Sequence, residues 1–187
     1  MVKILQKHSK VLRQKAEEVP LKDIGNKKLN KILLDMKTAL ASQLDGVAIA
    51  APQISVALRV FVVSGRVKSF LSSNPDKKYP DSVYINPKIT KLSKEKELVE
   101  EGCLSVRYLY GKVKRSTKTT VAAYDENGKR FTRGASGLVA QIFQHEIDHL
   151  DGILFTDKAK SVEEIPPEIW EKHFGTVVTG IKNKSNR

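Results

Sequence analysis

The chain has 187 residues, of which 40% are hydrophobic and 29% charged, a length and composition typical of one globular domain. Its 33 Lys and Arg against 21 Asp and Glu leave a formal net charge of +12, which favours contact with polyanions. The longest apolar runs fall far short of the ~20 residues of a membrane-spanning helix, and the N-terminus lacks the apolar centre of a secretory signal. We therefore expect a cytoplasmic protein without contact to a membrane.

The first predicted element is an amphipathic helix over Asn26–Leu44, where apolar residues recur at steps of three and four. Two stretches rich in β-branched residues, Ala57–Ser64 and Val83–Ile85, predict strands. A second pair of predicted strands, Lys118–Asp125 and Lys129–Arg133, flanks an Asn-Gly turn typical of a hairpin. The middle of the chain is therefore predicted to be largely β.

A second helix is predicted to begin near Ser136, a good N-cap residue. Its positions Leu138, Ile142, His145 and His149 share one face, so two histidines end an otherwise apolar stripe.

A last short helix is predicted after Pro166-Pro167, because proline is tolerated in a first helical turn. The elements together indicate an α+β fold. We predict that residues 1–181 form a single catalytic domain and that residues 182–187 form a basic tail.

The motif H-E-x-x-H lies on the second predicted helix, at His145-Glu146-Ile147-Asp148-His149. The four-residue step stacks both imidazoles one turn apart, where they can bind one metal ion. Glu146 is rotated off the histidine face but lies beside it, so its carboxylate can reach a water next to that ion. This is the position of a general base.

An open catalytic site needs three protein ligands, and Cys103 is the best candidate for the third. It lies in Glu101-Gly102-Cys103-Leu104-Ser105, where Gly102 lets the backbone approach a partner closely. A thiolate suits iron or zinc. The alternative is that Cys103 is a small buried hydrophobic residue, the commonest fate of a free cysteine.

A run of small residues from Gly46 to Gln53 separates the first helix from the first strand. Small side chains allow a ligand or another backbone to come near. Gln53 carries an amide that can donate a hydrogen bond to a developing oxyanion. The alternative is a tight connection between a helix and a strand.

Two other functions stay open on these residues alone. One is a zinc peptidase, because H-E-x-x-H occurs in many peptidases, with Glu168 or Glu171 as the third ligand. The other is an RNA-binding module with a structural metal, motivated by the net charge and by basic positions from Lys112 to Lys118, Arg115 among them. The low content of aromatic residues argues against the second.

The three segments together resemble the signature motifs of the peptide deformylases, which remove the N-formyl group from the initiator methionine of new polypeptides. Residues 101–105 match the family's E-G-C-L-S, residues 144–150 match its Q-H-E-x-D-H-L, and residues 8–20 are similar to its N-terminal segment. The resemblance implies an α+β fold with antiparallel sheets packed around a central metal-binding helix.

The resemblance also implies a role for each motif residue. The implied ligands of one divalent metal ion are Cys103, His145 and His149. Glu146 is the implied acid/base, and Gln53 with the backbone N–H of Leu104 stabilises the oxyanion. Fe(II) is the implied native ion, which Zn(II), Ni(II) or Co(II) could replace in purified protein.

The implied substrates are N-formylmethionyl nascent peptides. The residues that we expect to bind them are Val47, Ala48, Gly102, Leu138 and Ile142, with ordinary core packing as the alternative for the apolar ones. We also expect a monomer whose basic surface contacts the ribosome, in the cytoplasm or in an organelle of bacterial origin.

Three positions depart from the family pattern. Ala48 stands where a second glycine is usual, Arg107 where many members have proline, and Tyr110 where a basic residue is common. None is a proposed ligand or the base, so these departures concern peptide preference.

Overall fold

The computed structural model describes residues 2–72, 74 and 76–169. It confirms the α+β class: antiparallel sheets pack with a small number of helices. Glu171, residues 182–187 and most of the helix predicted after Pro166-Pro167 lie outside the described residues, so the proposed domain boundary stays a prediction.

Within residues 2–72, 74 and 76–166 there are three α-helices: α1 (Lys27–Ala41) precedes the strands, and α2 (Gly65–Leu71) and α3 (Gly137–Leu150) lie between strands. The side chain of Asn26 caps α1, since its Oδ1 accepts from the Leu29 N–H at 2.8 Å. The predicted start of the second helix is confirmed. Ser136 occupies the N-cap position of α3, although its side chain makes no capping hydrogen bond.

The larger sheet has five antiparallel strands in the order β1-β2-β3-β6-β7. These strands are β1 (Ala48–Ala50), β2 (Val60–Val63), β3 (Ser82–Leu92), β6 (Lys118–Tyr124) and β7 (Arg130–Ser136). The smaller sheet has three antiparallel strands in the order β4-β5-β8. They are β4 (Lys96–Cys103), β5 (Val106–Ser116) and β8 (Ala159–Glu164).

The predicted β6–β7 hairpin is present, with Gly128 at a positive φ of 79° in its turn. β2 is shorter than predicted and β3 is longer. β8 escaped prediction because it is exposed over nearly its whole length and has no alternation of apolar and polar residues.

Helix α3 packs one face against the larger sheet. Ile142, Phe143, Ile147 and Leu150 of α3 are buried in a cluster with apolar residues of β1, β2, β3 and β6. In this cluster the Phe143 ring meets Tyr84 at 5.1 Å between centroids. Burial of each such side chain stabilises the fold by roughly 1.5–3 kcal/mol. The rotation of α3 is thereby fixed, and with it the direction of His145 and His149.

Among the described residues, no helix combines the length and apolar character needed to cross a membrane.

Candidate metal centre and active site

Cys103 and the two histidines of α3 converge. The potential ligand atoms of Cys103, His145 and His149 all lie within 4.8 Å of one another. The Sγ of Cys103 is 3.1 Å from Nε2 of His149. No other His, Cys, Asp or Glu in residues 2–72, 74 and 76–169 forms such a group. Glu168, the proposed third ligand of a peptidase, is therefore outside it.

An irregularity at the end of β4 brings Cys103 to α3. Gly102 pairs with Tyr110 of β5, whereas the next residue, Cys103, pairs with Val106. The register therefore shifts between Gly102 and Cys103. A Cβ atom on Gly102 would lie 2.7 Å from Cε1 of Tyr110, so glycine is required for this close approach.

The Cys103 thiol has an unusual proton affinity. Burial alone would raise its pKa, but the adjacent imidazoles of His149 and His145 lower the pKa of Cys103 to about 5. The backbone N–H of Ser105 also donates to Sγ at 3.4 Å. Cys103 is thus prepared to be a thiolate, the form that binds metals.

Glu101 orients His145. The Nδ1 of His145 lies 2.9 Å from Oε2 of Glu101, which leaves Nε2 for a metal. Burial works to raise the pKa of Glu101, but hydrogen bonds from Arg115 and His145 lower it to about 2. The carboxylate is therefore an acceptor, and the His145 ring nitrogen donates.

Glu146 is buried next to these ligands, with 4% of its surface exposed. Its Oε2 has no hydrogen-bond partner among the described residues. Burial raises the pKa of Glu146 to about 7, and the nearby Cys103 adds to the rise while His145 and His149 oppose it. A carboxylate with a pKa near neutrality can both accept and return a proton.

The residues present fit one divalent cation. A thiolate and two imidazoles are a borderline-soft donor set, suited to iron or zinc. The unpartnered oxygen of Glu146 is a second observation, because a buried carboxylate oxygen normally has a donor, such as a water beside the ion. Three protein ligands leave a coordination position open, as catalytic sites require.

The amide of Gln53 has a defined orientation. Its Oε1 accepts from the Ala50 N–H at 2.8 Å, so its NH₂ group points the other way, toward Ser105 Oγ at 3.0 Å and Cys103 Sγ at 3.6 Å. Leu104, next to the cysteine, is held through its carbonyl, which accepts from Gln6 Nε2 at 3.1 Å. Both Gln53 and Leu104 line the same pocket.

A buried network of ion pairs behind the potential ligands was not predicted from the sequence. Arg115 of β5 donates from Nε to Glu101 at 2.6 Å and from Nη1 to Asp148 of α3, also at 2.6 Å. Lys158 adds a bond to the other Asp148 oxygen. Arg115 is only 4% exposed, so its inclusion among candidate RNA-binding residues was wrong. Alternation along β5 could have revealed an inward-facing position, but not its partners.

All five residues expected to bind substrate line one pocket beside Cys103 and Glu146. They are Val47, Ala48, Gly102, Leu138 and Ile142. Arg107 and Tyr110, two of the departures from the family pattern, line it as well. The pocket wall therefore combines the α1–β1 connection, the β4–β5 turn and helix α3.

The sequence profile of the polypeptide deformylase family matches residues 1–164. The chain belongs to this family. It is accordingly a hydrolase and metalloenzyme that removes the formyl group from the N-terminus of polypeptides, and the family match decides against the peptidase and RNA-binding alternatives.

Individual deformylases agree. Peptide deformylase 2 of Clostridium acetobutylicum is 42% identical over 147 residues, which cover 79% of this chain and 87% of that protein. Peptide deformylase 1A of Arabidopsis thaliana, chloroplastic/mitochondrial, is 40% identical over 156 residues, or 79% of this chain and 57% of that protein. A Met-Ala-Ser-bound deformylase from Acinetobacter baumannii superposes with a TM-score of 0.73 at 31% identity, covering 84% of this chain and 98% of its own.

Proposed function

We propose that Cys103, His145 and His149 hold the metal of this deformylase and that Glu146 is its acid/base. The observation that supports these roles is the convergence of three ligand atoms within 4.8 Å beside a buried carboxylate that lacks a partner. When bound, a divalent ion supplies Lewis acidity, which polarises the formyl oxygen and makes a bound water more acidic.

Glu146 takes the proton of the attacking water as the oxygen adds to the formyl carbon. The same carboxyl group then gives the proton to the leaving amine, so that formate and a free N-terminal methionine are released. A group whose pKa is raised to about 7 suits both transfers near neutral pH.

Gln53 and the backbone N–H of Leu104 stabilise the tetrahedral oxyanion. The bond from the Ala50 N–H to Oε1 supports this role for Gln53, because it fixes the amide with its NH₂ group on the side of Cys103. Preorganised donors gain more with the oxyanion than with the planar formamide.

Val47, Ala48, Gly102, Leu138 and Ile142 receive the methionine side chain and the adjacent backbone. Their common position on one pocket wall supports this proposal. The fit of Met-Ala-Ser in the relative from Acinetobacter baumannii makes formyl-Met-Ala-Ser a suitable test substrate.

The test of the mechanism is Glu146→Gln beside the wild type, both purified without oxygen. We expect turnover of formyl-Met-Ala-Ser to fall by about 10²–10⁴ in Glu146→Gln, with its metal content unchanged. Loss of the metal in Glu146→Gln would instead indicate that Glu146 is a metal ligand.

A second pair of variants tests the ligand set. Cys103→Ser should lose the metal, whereas Glu168→Ala should retain it. Retention of the metal in Cys103→Ser would contradict the proposed centre.

We infer that Fe(II) is the native ion, since one thiolate with two imidazoles suits Fe(II) as well as Zn(II). Metal analysis of protein purified without oxygen should find iron. Zn(II), Ni(II) or Co(II) can occupy the same donor set in purified protein.

We infer further that the enzyme is a monomer that works where nascent chains emerge, in the cytoplasm or in an organelle of bacterial origin. The net charge of +12 supports contact with ribosomal RNA. Binding to pelleted ribosomes should weaken as salt is raised, and binding that ignores ionic strength would count against a role for this charge.

A further inference from the structure

The connection between α1 and β1 is held from two sides by arginines. On one side, Arg66 of α2 donates to backbone carbonyl groups of the last turn of α1 and of the residues that follow it. The acceptors are the carbonyl oxygens of Leu40, Gln43, Leu44 and Gly46, at 2.9–3.3 Å. The backbone of this connection is thus bound to α2 next to the point where residues 45–48 line the pocket.

On the other side, Arg107 binds the side chains of the same connection. Its Nη1 donates to Oδ2 of Asp45 at 2.7 Å, and its Nη2 donates to Oε1 of Gln43. The side chains of Arg107 and Asp45 are only 24% and 14% exposed. Because the other Asp45 oxygen is buried and has no hydrogen-bond partner among the described residues, Asp45 depends on Arg107 for its charge balance.

This bridge joins two segments of the pocket wall. Asp45 precedes Gly46, Val47 and Ala48, which line the pocket from one segment, and Arg107 lies in the β4–β5 region that carries Cys103. Because residues of both segments line the pocket, a peptide bound there would lie between them. The bridge therefore fixes how far apart they stand.

The backbone next to Arg107 is in an uncommon conformation. Tyr108 has φ of 63°, in the left-handed region that residues with a Cβ atom rarely adopt. Such conformations persist where the surroundings impose them, and they concentrate at binding sites. Tyr108 also lines the pocket.

We propose that Arg107 is a positioning residue that sets the width of the groove for the peptide beyond formyl-methionine, and thereby the preference for its second residue. The inference rests on the proposed function of the pocket. In this proposal Arg107 acts through its bonds to Asp45 and Gln43, so we expect it to govern KM and selectivity and to leave kcat nearly unchanged.

The planar fork of arginine is essential to this role, because two nitrogens of one guanidinium reach two acceptors at once. A lysine at this position keeps the charge but presents a single ammonium group. It should therefore restore the bond to Asp45 without the bond to Gln43.

The experiment compares Arg107→Met, Arg107→Lys, Asp45→Asn and the Arg107→Met/Asp45→Asn double variant with the wild type. Lys88→Met is the matched control, since it removes a cation and an ion pair with Glu18 at the surface, outside the pocket. Steady-state kinetics are measured with formyl-Met-Ala-Ser and with peptides that carry a larger second residue. Metal content and urea unfolding are recorded for each variant.

We expect KM for formyl-Met-Ala-Ser to rise about tenfold in Arg107→Met, with kcat within about twofold and the metal retained. The ratio of kcat/KM for a peptide with a small second residue to kcat/KM for one with a large second residue should move toward one. In Arg107→Lys, KM should rise less than in Arg107→Met. The double variant should be no worse than Arg107→Met, because both substitutions break one bridge.

An unchanged KM in Arg107→Met, a loss confined to kcat, or an equal rise in Lys88→Met would overturn the proposal. If Arg107→Met does not fold, the nearly isosteric Asp45→Asn variant decides by the same KM and selectivity criteria. Failure of the proposed function is a separate result, since it would appear as absence of turnover in the metal-loaded wild type.

Discussion

Gly102 lies against the ring of Tyr110, its cross-strand partner, and immediately before the proposed metal ligand Cys103. The missing side chain matters here because a Cβ atom would overlap the ring at 2.7 Å. One residue without a side chain thus allows the strand to bring a thiol to the histidines.

At the residue scale, we predict that Gly102→Ala destabilises the protein by about 1–3 kcal/mol and lowers its metal affinity, because the ring or the strand must move. Urea unfolding and metal titration measure the two effects. The double variant Gly102→Ala/Tyr110→Ser should recover most of both losses, since it removes the overlapping ring. If the double variant lost as much stability and metal affinity as Gly102→Ala, the overlap with the Tyr110 ring would not be the reason that glycine is needed.

At the scale of elements, Arg115 joins strands β4 and β5 to helix α3. It pairs at once with Glu101, which holds His145, and with Asp148, which lies between the two histidines on α3. All three groups are buried, so the network connects the smaller sheet to the helix through charge rather than apolar packing.

We predict that Arg115→Met destabilises the protein by about 3–5 kcal/mol, because buried Glu101 loses its guanidinium partner and buried Asp148 keeps only the partly exposed Lys158. Lys158→Met is the matched comparison. Its ammonium pairs with the same Asp148 but is 42% exposed, so the loss should be at most about 1 kcal/mol. Urea unfolding of the metal-free proteins measures both, and equal losses would argue against a special role for Arg115.

At the scale of the whole molecule, the centre is the point where both sheets and α3 meet. Cys103 comes from the smaller sheet, the histidines come from the helix, and Gln53 follows the first strand of the larger sheet. A metal bound here connects segments that are more than 40 residues apart in the chain. Binding to the native state alone stabilises that state.

We therefore predict that removal of the metal by a chelator lowers the Tm by roughly 10 °C, as expected when a ligand at about 1,000 times its Kd is lost from a domain of this size. Scanning calorimetry with and without chelator measures the shift. In Cys103→Ser, the chelator should lower the Tm very little, because this variant should hold no metal. A full shift in that variant would mean that the chelator acts at another site.

Helices α1 and α3 and the hairpin could be predicted because their signals are local, whereas the seven-residue α2 was not predicted. The apolar period of α1, the histidine face of α3 and the Asn-Gly turn each lie within one element. β8 has no such signal, since an exposed edge strand shows little hydrophobic pattern. The pairing partners of Arg115 and Arg107 could not be predicted, because they are distant in the sequence. Charge alone also does not distinguish a buried arginine from a solvated one.

The donor chemistry of this protein is encoded in short sequence motifs, because the four-residue step on α3 and the cysteine motif give the donor types, and the motifs together identify the family. How those donors are held depends on the folded chain. The register shift after Gly102, the ionised Glu101 behind His145 and the arginine bridge at the pocket wall arise from contacts between distant segments, which no local pattern encodes.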